Sequence, residues 1–331
     1  MVQLWRKRAM TRRVLAGLVA GIMSLTFTGK LEAGDGWREG EPMITARSHA
    51  GAALLGEDFY VVGGDSTSGP RSLTEIYDMK GNIWRASAAL PVGLQQFGMT
   101  ASGGRLYIAG GFQAGEVEGE AARATYRFWE FDPQIGVWTN GPRLPEARQD
   151  LGLVTVDGKL YALGGQGEKN EQVWRFDPAV DKWQVVGNAM PVSRSSAAYV
   201  ASGKLIYAIG GRIGGVPSAR VDVFDTVSGT WRAGVPLPEA RMGHVAALVN
   251  GAIHVTGGES WSPPKTYTDH FVLNADDTSW SRLAGLHVPR HGAVAGAYGN
   301  QFVVIGGSPG AGVYTVFTQS DTVDIYEAGG K

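Results

Sequence analysis

The chain has 331 residues, 49 Gly, no Cys and 44% hydrophobic residues, which suits one large β-rich domain and excludes a disulfide scaffold and all thiolate chemistry. With 30 basic and 31 acidic residues its formal net charge is −1, and nothing in the charge pattern suggests nucleic acid as a partner.

Residues 1–33 read as a targeting segment. Arg6, Lys7, Arg8, Arg12 and Arg13 precede a 14-residue apolar run from Val14 to Phe27, short and Gly-rich for a membrane span. Thr11-Arg12-Arg13-Val14-Leu15 looks like a relaxed twin-arginine signal, Leu31-Glu32-Ala33 suits a cleavage site, and Met10 offers an alternative start. The expected product is periplasmic or secreted, with no membrane span in the mature chain; the alternative is an uncleaved anchor. Removing the leader's six Lys/Arg and one Glu leaves 24 basic and 30 acidic residues, a net charge of −6.

Residues 34–331 are expected to form one domain of repeated units, because a fixed period is the strongest fold signal in a single sequence. Double glycines stand at Gly63-Gly64, Gly110-Gly111, Gly164-Gly165, Gly210-Gly211, Gly257-Gly258 and Gly306-Gly307. Trp37, Trp84, Trp138, Trp231 and Trp280 each lie 26 residues before the next pair, and Trp183 lies 27 before. Sixteen residues before each pair comes Arg47, Arg148, Arg194, Arg241 or Arg290, with Leu94 as the departure. Tyr77-Asp78, Phe131-Asp132, Phe176-Asp177 and Phe224-Asp225 precede a Trp by seven residues, and Leu273-Asn274 is a degenerate copy.

This order of Arg, Gly-Gly, Tyr/Phe-Asp and Trp resembles the kelch repeat, from about Trp37 to Glu327. The resemblance implies an all-β fold, a six-bladed β-propeller of four-stranded blades. Trp37 has no strands before it, and Tyr326-Glu327 has no Trp after it. The N-terminal strand should therefore complete the last blade as its outermost strand and close the ring. Small first runs such as Ala50-Gly51-Ala52-Ala53 and Ala197-Ala198 fit the narrow axis, and the tryptophans fit the wide rim.

In an up-and-down blade, the turn after each Gly-Gly and the turn carrying each Arg share one face. Loop length varies there, which favours that face for binding. Arg47, Arg148, Arg194, Arg241 and Arg290, joined by Arg212, are expected to rim the channel mouth and to take an acidic ligand bidentately. Each repeat Arg could instead pair with a neighbouring loop carbonyl or acid. His49, His244 and His291 fall near the same mouth, with Asp150 and Glu259 as carboxylates that could orient an acid/base histidine. Trp261, followed by Ser262-Pro263-Pro264, is the aromatic expected to be exposed, whereas Trp129 belongs to the core.

Two functions remain open. The first is an exported recognition module that binds a protein segment or a glycan at the Arg-bearing face, through Arg47, Arg148, Arg194, Arg212, Arg290, Asp150, His49 and Trp261. The second is a sugar mutarotase similar to the N-acetylneuraminate epimerases, with Glu259, His244 and Arg241 as the catalytic set. No metal or cofactor is expected, since no metal-ligand spacing, P-loop or nucleophile elbow occurs. A galactose-oxidase-like copper radical site would need a Tyr-Cys cross-link, and the chain has no Cys. A monomer is expected.

Overall fold

The computed structural model describes residues 36–117 and 119–329, so the candidate leader, residues 1–33, lies outside the described residues. Six four-stranded antiparallel sheets follow one another along the chain, each wound from an inner to an outer strand. In the first blade the strands are Gly51–Leu55, Asp58–Val62, Thr74–Asp78 and Ile83–Ser87. The second strand reads Asp-Phe-Tyr-Val-Val, aromatic and β-branched residues that fit a pleated surface buried on both faces. The inner strands of the next four blades are Gly98–Ser102, Gly152–Val156, Ala198–Ser202 and Val245–Val249.

The sixth blade consists of Val294–Tyr298, Gln301–Ile305, Val323–Glu327 and, outermost, the N-terminal Trp37–Glu39. Its closing register pairs Trp37 with Tyr326, Arg38 with Ile325 and Glu39 with Asp324. Ring closure by the first strand is therefore as the repeat phase requires, and it removes two exposed sheet edges. Ala50, Gly98, Gly152, Ala197, Ala246 and Ala293 line the channel at the axis, where a bulkier residue would meet the neighbouring blade.

The repeated residues bind one blade to the next. The indole N–H of each of the six repeat tryptophans donates to a backbone carbonyl of the preceding blade: Trp84 to Glu41, Trp138 to Ala88, Trp183 to Pro142, Trp231 to Asn188, Trp280 to Val235 and Trp37 to Ala284, at 2.7–3.0 Å. At the other end of each blade the second glycine of the pair donates its N–H to the next blade's Arg carbonyl. Gly111 reaches Arg148 at 2.8 Å and Gly307 reaches Arg47 at 3.0 Å, while Leu94 supplies the same acceptor to Gly64 at 2.9 Å. A Cβ on Gly110 would overlap the Arg148 carbonyl oxygen, which is why the pair tolerates nothing larger. Among the described residues no helix is long and apolar enough to cross a membrane, and no group of His, Asp or Glu is arranged to hold a metal.

Candidate functional site

The five repeat arginines are not at the rim. Arg47, Arg148, Arg194, Arg241 and Arg290 are at most 3% exposed. Their Cα atoms stand at the mouth, but each side chain runs down into its own blade. There it donates to backbone carbonyls of that blade: Arg47 to Gly63, Arg194 to Ala208, Gly210 and Arg220, Arg241 to Gly257 and Arg290 to Gly306, at 3.0–3.3 Å.

The charge is met by a carboxylate on the third strand, Glu75 for Arg47 at 2.6 Å, Asp222 for Arg194 and Asp324 for Arg290. Arg148 bonds Glu146 at 3.1 Å and the Gln172 carbonyl at 3.2 Å, and lies 3.4 Å over the Trp174 ring. Arg241 lies over Tyr267 and Phe271, with Asp269 at 3.7 Å. Burial lowers the pKa of each of these guanidiniums, which makes the paired acids and carbonyls a requirement of the fold. The expected ligand-binding role of Arg47, Arg148, Arg194 and Arg290, and the catalytic role of Arg241, are corrected accordingly: these groups are committed inside the blades.

Two residues beyond each repeat Arg, and beyond Leu94 in the second copy, the chain forms a ring at the mouth. His49, Gln96, Asp150, Ser196, Gly243 and Gly292 occupy equivalent positions, all with φ between 51° and 62°. Each backbone N–H donates to the carbonyl of the preceding member: His49 to Gly292 at 2.7 Å, Gln96 to His49 at 3.0 Å, Asp150 to Gln96 at 2.6 Å, Gly243 to Ser196 at 2.8 Å and Gly292 to Gly243 at 2.8 Å. At the remaining step the link is through side chains, the Ser196 hydroxyl donating to Asp150 Oδ2 at 2.6 Å. Four non-glycine residues held in the left-handed region carry a cost of roughly 1–2 kcal/mol each, a form of strain that concentrates at binding and catalytic positions.

The ring surrounds a cavity of about 170 Å³ lined by His49, Gln96, Asp150, Ser196, His244 and Glu259. Burial pushes the Asp150 carboxyl above its ordinary value, against the Ser196 bond and the pull of Arg212. Burial lowers the His49 pKa to about 4, helped by nearby His291, and the His244 pKa to about 3, helped by Arg241. Both rings are therefore neutral near pH 7. Nδ1 of His49 makes no hydrogen bond among the described residues, while His244, only 5% exposed, has the Ile209 carbonyl beside its ring.

Glu259 joins the cavity to the loop above it. Its Oε1 lies 3.2 Å from His291 Nδ1, an ion pair when the ring is protonated, and Oε2 accepts the Gly312 N–H at 2.8 Å. His291 Nε2 lies 2.9 Å from the Gly310 carbonyl, an atom that can only accept, so that nitrogen carries a proton. Sequence reasoning placed His291 near the mouth but did not pair it with Glu259.

Trp261 is 46% exposed on the hairpin Glu259–Trp261/Pro264–Thr266, and Arg212 lies 5.4 Å over its ring. Beside it the 3₁₀ segment Gly312–Phe317 exposes Val313, Tyr314 and Phe317. This apolar wall flanks the mouth on the fifth and sixth blades. Its sixth-blade part was missed because only the length of the loop after Gly307 marks it in the sequence. Trp129, by contrast, is core, as expected.

Residues 46–91, 94–145, 147–190 and 193–238 match the family described as Kelch motif. Kelch-like protein terF of Aspergillus terreus is 25% identical over 302 residues, which cover 85% of this chain and 64% of that protein. Kelch-like protein 35 of Mus musculus is 27% identical over 215 residues, covering 64% of this chain and 35% of that protein. The chain thus spans less than two thirds of the length of these relatives. A solved structure titled "Structure of YjhT" aligns with a TM-score of 0.73 at 18% identity, covering 86% of this chain and 96% of the other. At that identity the likeness is one of fold.

Proposed function

Because the chain belongs to the kelch-repeat family, in which one propeller scaffold serves many unrelated functions, we propose a function from the mouth itself: an exported recognition module that takes a sugar unit of a glycan into the channel cavity. The observation that carries this reading is the convergence of the unpaired Nδ1 of His49 with His244, Asp150, Ser196, Gln96 and Glu259 on a cavity of about 170 Å³. Buried polar atoms without partners call for one, and hydroxyl groups both donate and accept. The size suits a single sugar ring better than a protein segment. Export rests on the basic and apolar leader pattern alone.

Burial of the five repeat arginines weakens the case for a strongly acidic ligand. Arg212 remains as the cation beside the mouth, enough to meet one carboxylate. The test is binding of neutral and carboxylated monosaccharides to the mature chain by saturation-transfer NMR. Binding lost in Asp150→Asn and Glu259→Gln supports the reading, and absence of binding to any sugar tested overturns it.

A second reading, a sugar mutarotase, is favoured by the Glu259–His291 pair at the cavity wall. An acid/base pair held beside a sugar could move a proton between ring and anomeric oxygens. Anomer exchange followed by one-dimensional proton NMR decides it: acceleration abolished by Glu259→Gln establishes catalysis, and an uncatalysed rate leaves a binding module.

A further inference from the structure

On the face opposite the mouth, between the fifth and sixth blades, lies a second cavity of about 510 Å³. Val249, Ala252, Val272, Leu283, Tyr326 and His254 line it. Its walls are mostly apolar, and His254, 4% exposed, sits at its inner side.

The hydrogen bonds fix the tautomers of two histidines here. His270 is fully buried, and its Nδ1 lies 3.2 Å from the Ala284 carbonyl oxygen, which can only accept, so Nδ1 carries the proton. Burial holds the pKa of His270 at about 3 and that of His254 at about 4, so both rings are neutral near pH 7. Nε2 of His270 is then a bare lone pair, and it must accept the 2.9 Å bond from His254 Nδ1–H. That leaves His254 Nε2 as a lone pair as well, and none of the hydrogen bonds between described residues reaches it. The rings of Trp37, Phe302 and Tyr326 pack around His270 at 4.7–5.6 Å and hold the pair in place.

An acceptor without a donor, set in an apolar cavity, selects an apolar molecule that brings one donor. We propose that this cavity binds a small hydroxyl-bearing apolar compound, a phenol or an alicyclic alcohol, which donates its O–H to His254 Nε2. This site is separate from the channel mouth and does not depend on what the mouth binds.

The test compares 2-naphthol with its methyl ether, which has similar bulk but no donor, by protein-observed NMR titration of the mature chain. The expected result is at least tenfold tighter binding of 2-naphthol, with a shift of the unprotonated His254 Nε2 resonance in a long-range nitrogen–proton spectrum. His254→Phe should bring 2-naphthol to the affinity of the ether, and Glu259→Gln should leave it unchanged. Equal binding of the two compounds, no binding of 2-naphthol up to its solubility, or tenfold preference that survives His254→Phe overturns the proposal. Should His254→Phe fail to fold, Ala252→Trp fills the same cavity, and 2-naphthol affinity unaffected by that change overturns the proposal as well.

Discussion

The repeat arginines and the residues two positions further on start from the same turns and end in opposite roles. Arg47, Arg148, Arg194, Arg241 and Arg290 turn into the blades and are consumed by carbonyls and carboxylates. His49, Gln96, Asp150, Ser196, Gly243 and Gly292 stay at the mouth, joined into a ring and each different enough to shape a cavity. What recurs in every copy holds the copies together. What changes from copy to copy is free to meet a ligand.

The contrast breaks most visibly in the arginine layer. Arg47→Met leaves the Glu75 carboxylate buried alone, with an expected loss of about 3–5 kcal/mol in chemical denaturation. A loss below about 1 kcal/mol for Arg47→Met would show that the layer is not structural.

Acid should act next, through the buried histidines. His49, His244, His254 and His270 have folded-state pKa values lowered to about 3–4. Above pH 6.5 both states are neutral and nothing is lost. Between about pH 6.5 and 4 the unfolded chain takes up protons that the folded chain refuses, so stability falls by up to about 1.4 kcal/mol per pH unit for each histidine. Asp150 and Asp324, raised by burial, run the other way and make the net slope shallower. Urea midpoints across this range check the sign, and His254→Phe should flatten the slope if it folds.

Within the ring the effects are smaller. Ser196 sits at φ 51°, so Ser196→Val should cost roughly 1–2 kcal/mol through the strained backbone, and Ser196→Asn should cost much less. Arg212→Ala is expected to change thermal stability by less than about 0.5 kcal/mol, since its guanidinium is not spent inside a blade. The same change should weaken a carboxylated sugar about tenfold and leave a neutral one alone, as the titrations would show.

The blade count, the closing N-terminal strand and the outer tryptophans were legible because each depends on spacing, and spacing survives in the sequence whatever the side chains do. The destination of the arginines was harder to read. A clue was present in three copies, where Glu75, Asp222 and Asp324 stand two residues before the third-strand aromatic, but the copies of Arg148 and Arg241 carry Trp174 and Phe271 there, much as the copy without Arg carries Trp129. Local pattern does not say whether a side chain points to solvent or back into its blade, because that depends on carbonyls and acids brought beside it by strands 14 to 34 residues away. The Glu259–His291 contact joins neighbouring blades, and no periodicity within one copy could reveal it.

The most direct test titrates residues 34–331 with a panel of neutral and carboxylated monosaccharides, in the unaltered sequence and in Asp150→Asn. The account predicts saturable binding in the first and at least a tenfold loss in the second, with the unfolding free energy in urea unchanged within about 1 kcal/mol. Binding that survives Asp150→Asn undiminished, or no binding by the unaltered chain, would contradict a ligand seated in the ring.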